Sequence, residues 1–132
     1  MKRTARCACG DASITVEGEP DQFGVCHCAN CRRRTGSAFG MSAYFRCEQV
    51  QEQTGAMQEY AFHHAAMNHD QARHFCARCG TTLVWTISTL PHLVGIAGGC
   101  FTDSPLGVPS YSAAHYQCLE WVGLPEGIKT GG

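Results

Sequence analysis

The stretch Cys26-His27-Cys28-Ala29-Asn30-Cys31 places three thiols within six residues, and its reading decides the fold of this chain. In extended backbone residues i and i+2 point to the same side, so Cys26 and Cys28 can offer two sulfurs to one metal ion. A tight turn lets the Cys28-x-x-Cys31 spacing add a third. Two further groups flank this stretch: Cys7-Ala8-Cys9 near the start and Cys76-Ala77-Arg78-Cys79 in the second half. A structural zinc takes four protein ligands, whereas a catalytic zinc keeps three and leaves the fourth position to water or substrate. The spacing therefore predicts that Cys26, Cys28 and Cys31 wrap one metal. Cys7, Cys9, Cys76 and Cys79 then meet as a four-cysteine site that ties the N-terminus to the middle of the chain. Spacing alone also allows Cys7 and Cys9 to complete the Cys26 group instead.

Ten cysteines in a short chain can also signal a disulfide framework. The opening Met1-Lys2-Arg3-Thr4-Ala5-Arg6 has no apolar signal segment, so a reducing cytoplasmic setting is expected. There, clustered cysteines bind metal. No run approaches the roughly 18 apolar residues of a membrane span. At 132 residues the chain fits one zinc-binding domain, with its core expected over residues 6–125. The formal charge of -1 falls to about -4 once seven thiolates hold two Zn2+ ions, which gives no support to a nucleic-acid binder. A basic patch joining Lys2, Arg3 and Arg6 to Arg32, Arg33 and Arg34 is disfavoured for the same reason.

Period-two alternation marks several strands with one buried face. Ile14 and Val16 alternate with Ser13, Thr15 and Glu17; Phe39, Met41, Ala43 and Phe45 alternate with Gly40, Ser42, Tyr44 and Arg46; Leu83, Trp85 and Ile87 form a third run. Leu93 to Ala97 is continuously apolar, as a central strand would be, and a short strand is expected around His115 to Gln117. Helix is expected only after Cys31 and from Gln58 to Asn68. The fold class is mainly β.

The ordered groups Cys7-x-Cys9-Gly10, Cys26-His27-Cys28-x-x-Cys31-Arg32 with Thr35-Gly36-Ser37, and Phe75-Cys76-x-x-Cys79-Gly80-Thr81 resemble the glutathione-dependent formaldehyde-activating enzyme family, which includes centromere protein V. Asp103-Ser104-Pro105, His115, Trp121 and Pro125 resemble its closing segment. The resemblance implies an Mss4-like, mainly β fold around zinc. It implies Cys7, Cys9, Cys76 and Cys79 as structural zinc ligands, and Cys26, Cys28 and Cys31 as ligands of a second, more accessible zinc. It further implies carbon–sulfur lyase chemistry like that of S-hydroxymethylglutathione synthase, which joins glutathione and formaldehyde. The other function class is a non-catalytic, zinc-stabilised binding or scaffolding module.

A zinc site with three thiolates has reduced Lewis acidity, which favours holding and releasing sulfur over activating water. Arg32, Arg33 and Arg34 follow the three-cysteine group directly and could offset its negative charge or grip the carboxylates of a glutathione-like thiol, with Arg32 and Arg33 the candidate substrate contacts. His27 faces away from the metal of its neighbours and is expected to pack or to support the ligands. Cys47, Cys100 and Cys118 are expected to be buried free thiols, although Cys100 could reach the second zinc. His63, His64, His69 and His74 share no face and suggest an exposed loop, while Trp85 and Trp121 are expected in the core.

Overall fold

The computed structural model describes residues 1–131. Strands run β1 Lys2–Arg6, β2 Ser13–Glu17, β3 Gln22–Cys26, β4 Gly40–Arg46, β5 Val50–Thr54, β6 Met57–His64, β7 His69–Cys76, β8 Thr82–Ile87, β9 Leu93–Ala97, β10 Tyr111–Ala113 and β11 Lys129–Thr130. A single α-helix among the described residues, α1, spans Ala29–Thr35. The strands form a three-stranded sheet, β1-β2-β5, and an eight-stranded sheet, β11-β10-β3-β4-β9-β8-β7-β6. Pairing is antiparallel except at one edge, where β10 lies parallel to both β3 and β11. The chain is thus mainly β.

The alternation read in the sequence becomes one core shared by the two sheets. Ala5, Ile14 and Val16 from the small sheet meet Phe45, Leu83 and Ile96 from the large one, all with no exposed surface. Each large aliphatic or aromatic side chain buried in this way contributes about 1.5–3 kcal/mol. Trp85 anchors a second cluster with Ile87 and Ala97, and its indole N–H donates to the Tyr44 hydroxyl at 3.2 Å. The apolar run Leu93–Ala97 lies inside the sheet between β4 and β8, as a strand buried on both faces should.

Several expectations are corrected. Residues 58–64 are strand, not helix: β6 pairs with β7 in unbroken register from Met57↔Cys76 to His64↔His69. As the sheet's edge strand β6 is mostly exposed, so it carries no apolar alternation that a sequence could reveal. The four histidines of this hairpin lie on strands rather than in a loop, and His69 is buried. The expected strand at His115–Gln117 is a 3-10 turn, because Ala114 adopts a left-handed φ of 49° that ends β10 two residues earlier. The helix begins before Cys31, with Cys28 as its N-cap. Trp121 is 78% exposed instead of in the core, on a segment with no strand to cover it. Cys47 is exposed as well.

Two candidate metal centres

The four-cysteine group forms where the two sheets meet. Cys7 and Cys9 follow β1, Cys76 ends β7, and Cys79 lies in the turn to β8. Their four sulfurs all lie within 4.8 Å of one another. Two separations are 3.6 Å, Cys7 to Cys9, and 3.7 Å, Cys9 to Cys76. Zinc–sulfur bonds of about 2.3 Å in a tetrahedron put sulfurs about 3.8 Å apart, so the donor set fits that ion. Backbone N–H groups converge on the same sulfurs: Ala12 donates to Cys7 at 3.2 Å, Asp11 to Cys9 at 3.5 Å, and Arg78 and Cys79 to Cys76 at 3.4 and 3.5 Å. Such bonds favour thiolate. The turns that aim them close on Gly10 and Gly80, whose φ values of 85° and 80° lie in the region glycine enters without strain. At Cys79 the Thr81 hydroxyl and then the Thr81 backbone hold the thiol down at about 5.

The second group forms at the end of β3. Cys26 is the last residue of the strand, Cys28 is extended with ψ of 155°, and Cys31 sits in the first turn of α1. The Cys31 N–H donates to the Cys28 sulfur at 3.4 Å, so the helix cap and the thiol cluster are one feature. The three sulfurs lie within 4.8 Å of one another, and among the described residues no fourth histidine, cysteine or carboxylate joins them. Hydrogen bonds from Cys26 and then Cys31 hold the Cys28 thiol well below the usual thiol range. Cys31, donating to Cys26 and Cys28, is pushed far above it. One thiolate therefore forms readily and opposes the rest, an opposition that a bound cation removes. Three soft donors fit zinc, with one position left over.

Cys100 does not close that position. It is partly buried and lines a cleft of about 530 Å³ together with Arg34, Phe39, Met41 and Thr81. Arg34 stands beside Cys31 and Thr81 beside Cys79, so the cleft runs between the two cysteine groups. Arg32 and Arg33 line a smaller cleft of about 320 Å³ with Ala29 and Ser37, and Ser37 borders both. Arg34, one of the three arginines expected to offset the charge of the thiols, is the one whose guanidinium packs with Cys31 against Gly40. Its signal was its place one helical turn beyond Cys31.

His27 is fully buried and faces away from the thiols' metal position. Its Nε2 bonds the Ser112 hydroxyl at 2.8 Å, and Ser112 bonds His115 Nδ1 at 2.9 Å. Cys118 lies near both rings. Because the facing ring nitrogens already meet through Ser112, this trio clamps the C-terminal segment onto the three-cysteine segment.

A mainly β scaffold that gathers one closed and one open set of thiols belongs to the class of small cysteine-rich β proteins whose thiol clusters are able to hold metal. The model of the glutathione-dependent formaldehyde-activating enzyme family matches residues 2–117, and the chain belongs to that family. A Rhodobacter sphaeroides protein of known crystal structure, a structural-genomics target, is 21% identical with a TM-score of 0.58, the match covering 98% of this chain and 99% of that one. At that identity the likeness supports the fold alone. No curated protein matches the chain. Among the described residues no helix is long and apolar enough to cross a membrane.

Proposed function

We propose that this protein is a zinc-dependent carbon–sulfur lyase-type enzyme that acts on a small thiol or its hydroxymethyl adduct, as the family description suggests for glutathione and formaldehyde. The observation that carries this reading is the contrast between a closed group of four thiols and an open group of three beside a cleft. Cys7, Cys9, Cys76 and Cys79 hold a structural zinc, and Cys26, Cys28 and Cys31 hold the second. That second zinc, when bound, supplies an open position able to keep a substrate thiol in its reactive thiolate form.

The protein's own residues then do the rest. The Cys28 cap, with the N–H of Cys31 donating to its sulfur, holds these two thiols together, so a zinc held by the three cysteines would have one position free for substrate. Phe39 and Met41 give the cleft of about 530 Å³ an apolar wall. Arg32 and Arg33, beside Ser37, take substrate carboxylates. In the cleavage direction the adduct's hydroxyl gives its proton to solvent as the carbonyl forms, and sulfur leaves as thiolate with the bonding electron pair, so the adduct yields thiolate, aldehyde and one proton. The reverse direction makes the carbon–sulfur bond.

The test is zinc content of the purified protein with and without glutathione under mild chelation. Two zinc ions, one labile and altered in lability by the thiol, are expected. A single ion, or two equally inert ones, would replace this reading with a structural binding module.

A further inference from the structure

Six arginines sit on strands, turns or the helix with resolved partners or surroundings, and they divide sharply. Arg3, Arg6, Arg46 and Arg78 each meet a carboxylate, at 2.7, 3.7, 3.1 and 3.3 Å. Arg34 and Arg73 do not: among the described residues neither has a carboxylate within ion-pair distance. Both are nonetheless built into the structure, as is Arg3, whose charge Glu19 meets. Arg73 is only 9% exposed, and its Nε is buried without a partner. The Nη2 of Arg34 is likewise buried without a partner.

Both lie by the segment that carries the open thiol group. Arg34 Nη2 and the Cys31 Cβ lie 2.7 and 3.2 Å from the place a side chain on Gly40 would occupy, so the absence of a side chain there is what lets the guanidinium approach the cluster. The face of Arg34 rests on the Trp85 ring at 4.5 Å, which fixes it in place. Arg73 approaches from β7: its Nη2 donates to the side chain of Asn30, directly before Cys31, and its guanidinium covers the Phe62 ring at 4.7 Å. Burial draws both guanidinium groups down from the ordinary arginine value, at Arg73 with the charge of Arg34 adding to it; for each, Cys31 acts in the opposite direction.

Formal charge decides what two such cations are for. Zinc with three thiolates carries one negative charge, which one arginine offsets. A second buried cation is then in excess unless the fourth ligand is itself an anion. We infer that Arg34 and Arg73 together are the countercharges of an anionic fourth ligand, a thiolate, so that the open site is neutral when substrate sulfur occupies it and carries a surplus positive charge before. Resting on the zinc-and-thiol reading above, this assigns to two positioning residues the selection of an ionised thiol over neutral ligands. Water, or an uncharged base, leaves the surplus in place.

The experiment uses the full-length protein with cobalt(II) in both sites, whose thiolate charge-transfer absorption reports each sulfur that binds. 2-Mercaptoethanol, an uncharged thiol, is titrated in, and imidazole serves as a neutral competing ligand. Wild type should gain charge-transfer intensity with the thiol. Arg34→Gln and Arg73→Gln should each weaken thiol affinity by about tenfold or more, as expected for a unit charge removed from a partly buried site. Imidazole affinity should be unchanged or tighter, and Arg34→Lys should recover part of the thiol affinity. Equal thiol affinity in wild type and both glutamine variants overturns the inference while leaving the thiol reading intact. Equal weakening of thiol and imidazole, or loss of the second cobalt from the variants, also overturns it, since the arginines would then serve the three cysteines alone. Absence of any thiol response in wild type sinks the functional reading itself.

Discussion

Replacing Cys76 with serine should remove a large part of the protein's stability, and the structure allows the loss to be sized. The Cys9 and Cys76 sulfurs, 3.7 Å apart, join positions separated by 67 residues. A crosslink closing a loop of that length restricts the unfolded chain by about 4 kcal/mol in the chain-entropy treatment. The join also fastens the small sheet through Cys7 and Cys9 to the large sheet through Cys76 and Cys79. Domains of this size have only about 5–15 kcal/mol in total, so Cys76→Ser should lose from a third to nearly all of it. Urea unfolding followed by the fluorescence of Trp85, which is buried in the second core cluster, reads this directly. The midpoint should collapse, and chelator should produce a similar loss in wild type. A Cys76→Ser variant within about 1 kcal/mol of wild type, with an unchanged response to chelator, would refute the crosslink argument.

Cys31→Ser should lose one zinc and the carbon–sulfur activity while keeping a cooperative unfolding transition, since the open group joins only neighbouring residues; metal content and a thermal scan together check it. Gly95→Ala should cost about 2 kcal/mol, because a Cβ there overlaps the Trp85 indole held from below by Tyr44; near-ultraviolet circular dichroism should change with it. His69 is buried, and desolvation, then His64 and His63, lowers its pKa below 6.5, so the unfolded state takes the proton first. Its stabilising contribution is therefore complete above about pH 6.5 and is lost as pH falls through the lower folded value; urea midpoints from pH 7.5 to 5 should fall less steeply in His69→Gln.

Where burial on one face wrote itself into alternation, the sequence was readable. Ile14 and Val16, the Met41–Phe45 run, Leu83 to Ile87 and the apolar Leu93–Ala97 all became strands of the core. Thiol spacing likewise indicated which sulfurs would converge, and the four and the three do come together. The β6–β7 hairpin was illegible because its stability comes from cross-strand hydrogen bonds that any exposed residues can make. Tyr111–Ala113 hid for a related reason: a three-residue strand is placed by its partner β3, not by its own pattern. That Arg34 could offset the charge of the three thiols was legible from its place just after them, whereas the role of Arg73 was not. A guanidinium's function depends on which charges surround it, and Arg73 reaches Asn30 across 43 residues of chain.

The parallel seam between β10 and β3 sets an order of assembly. Gly24, Val25 and Cys26 gain their neighbours Tyr111, Ser112 and Ala113 only after most of the polypeptide has been made. The His27 N–H likewise donates to the Ala113 carbonyl at 3.1 Å. Contacts of such high sequence separation form late, after the local hairpins. During synthesis the four-thiol junction can therefore close as soon as Cys79 is available, while the three-thiol segment stays unclamped until residues 111–115 arrive. A nascent or C-terminally clipped chain would have its structural crosslink and an exposed, loosely held trio of thiols, the form most open to oxidation or to capture of the wrong metal.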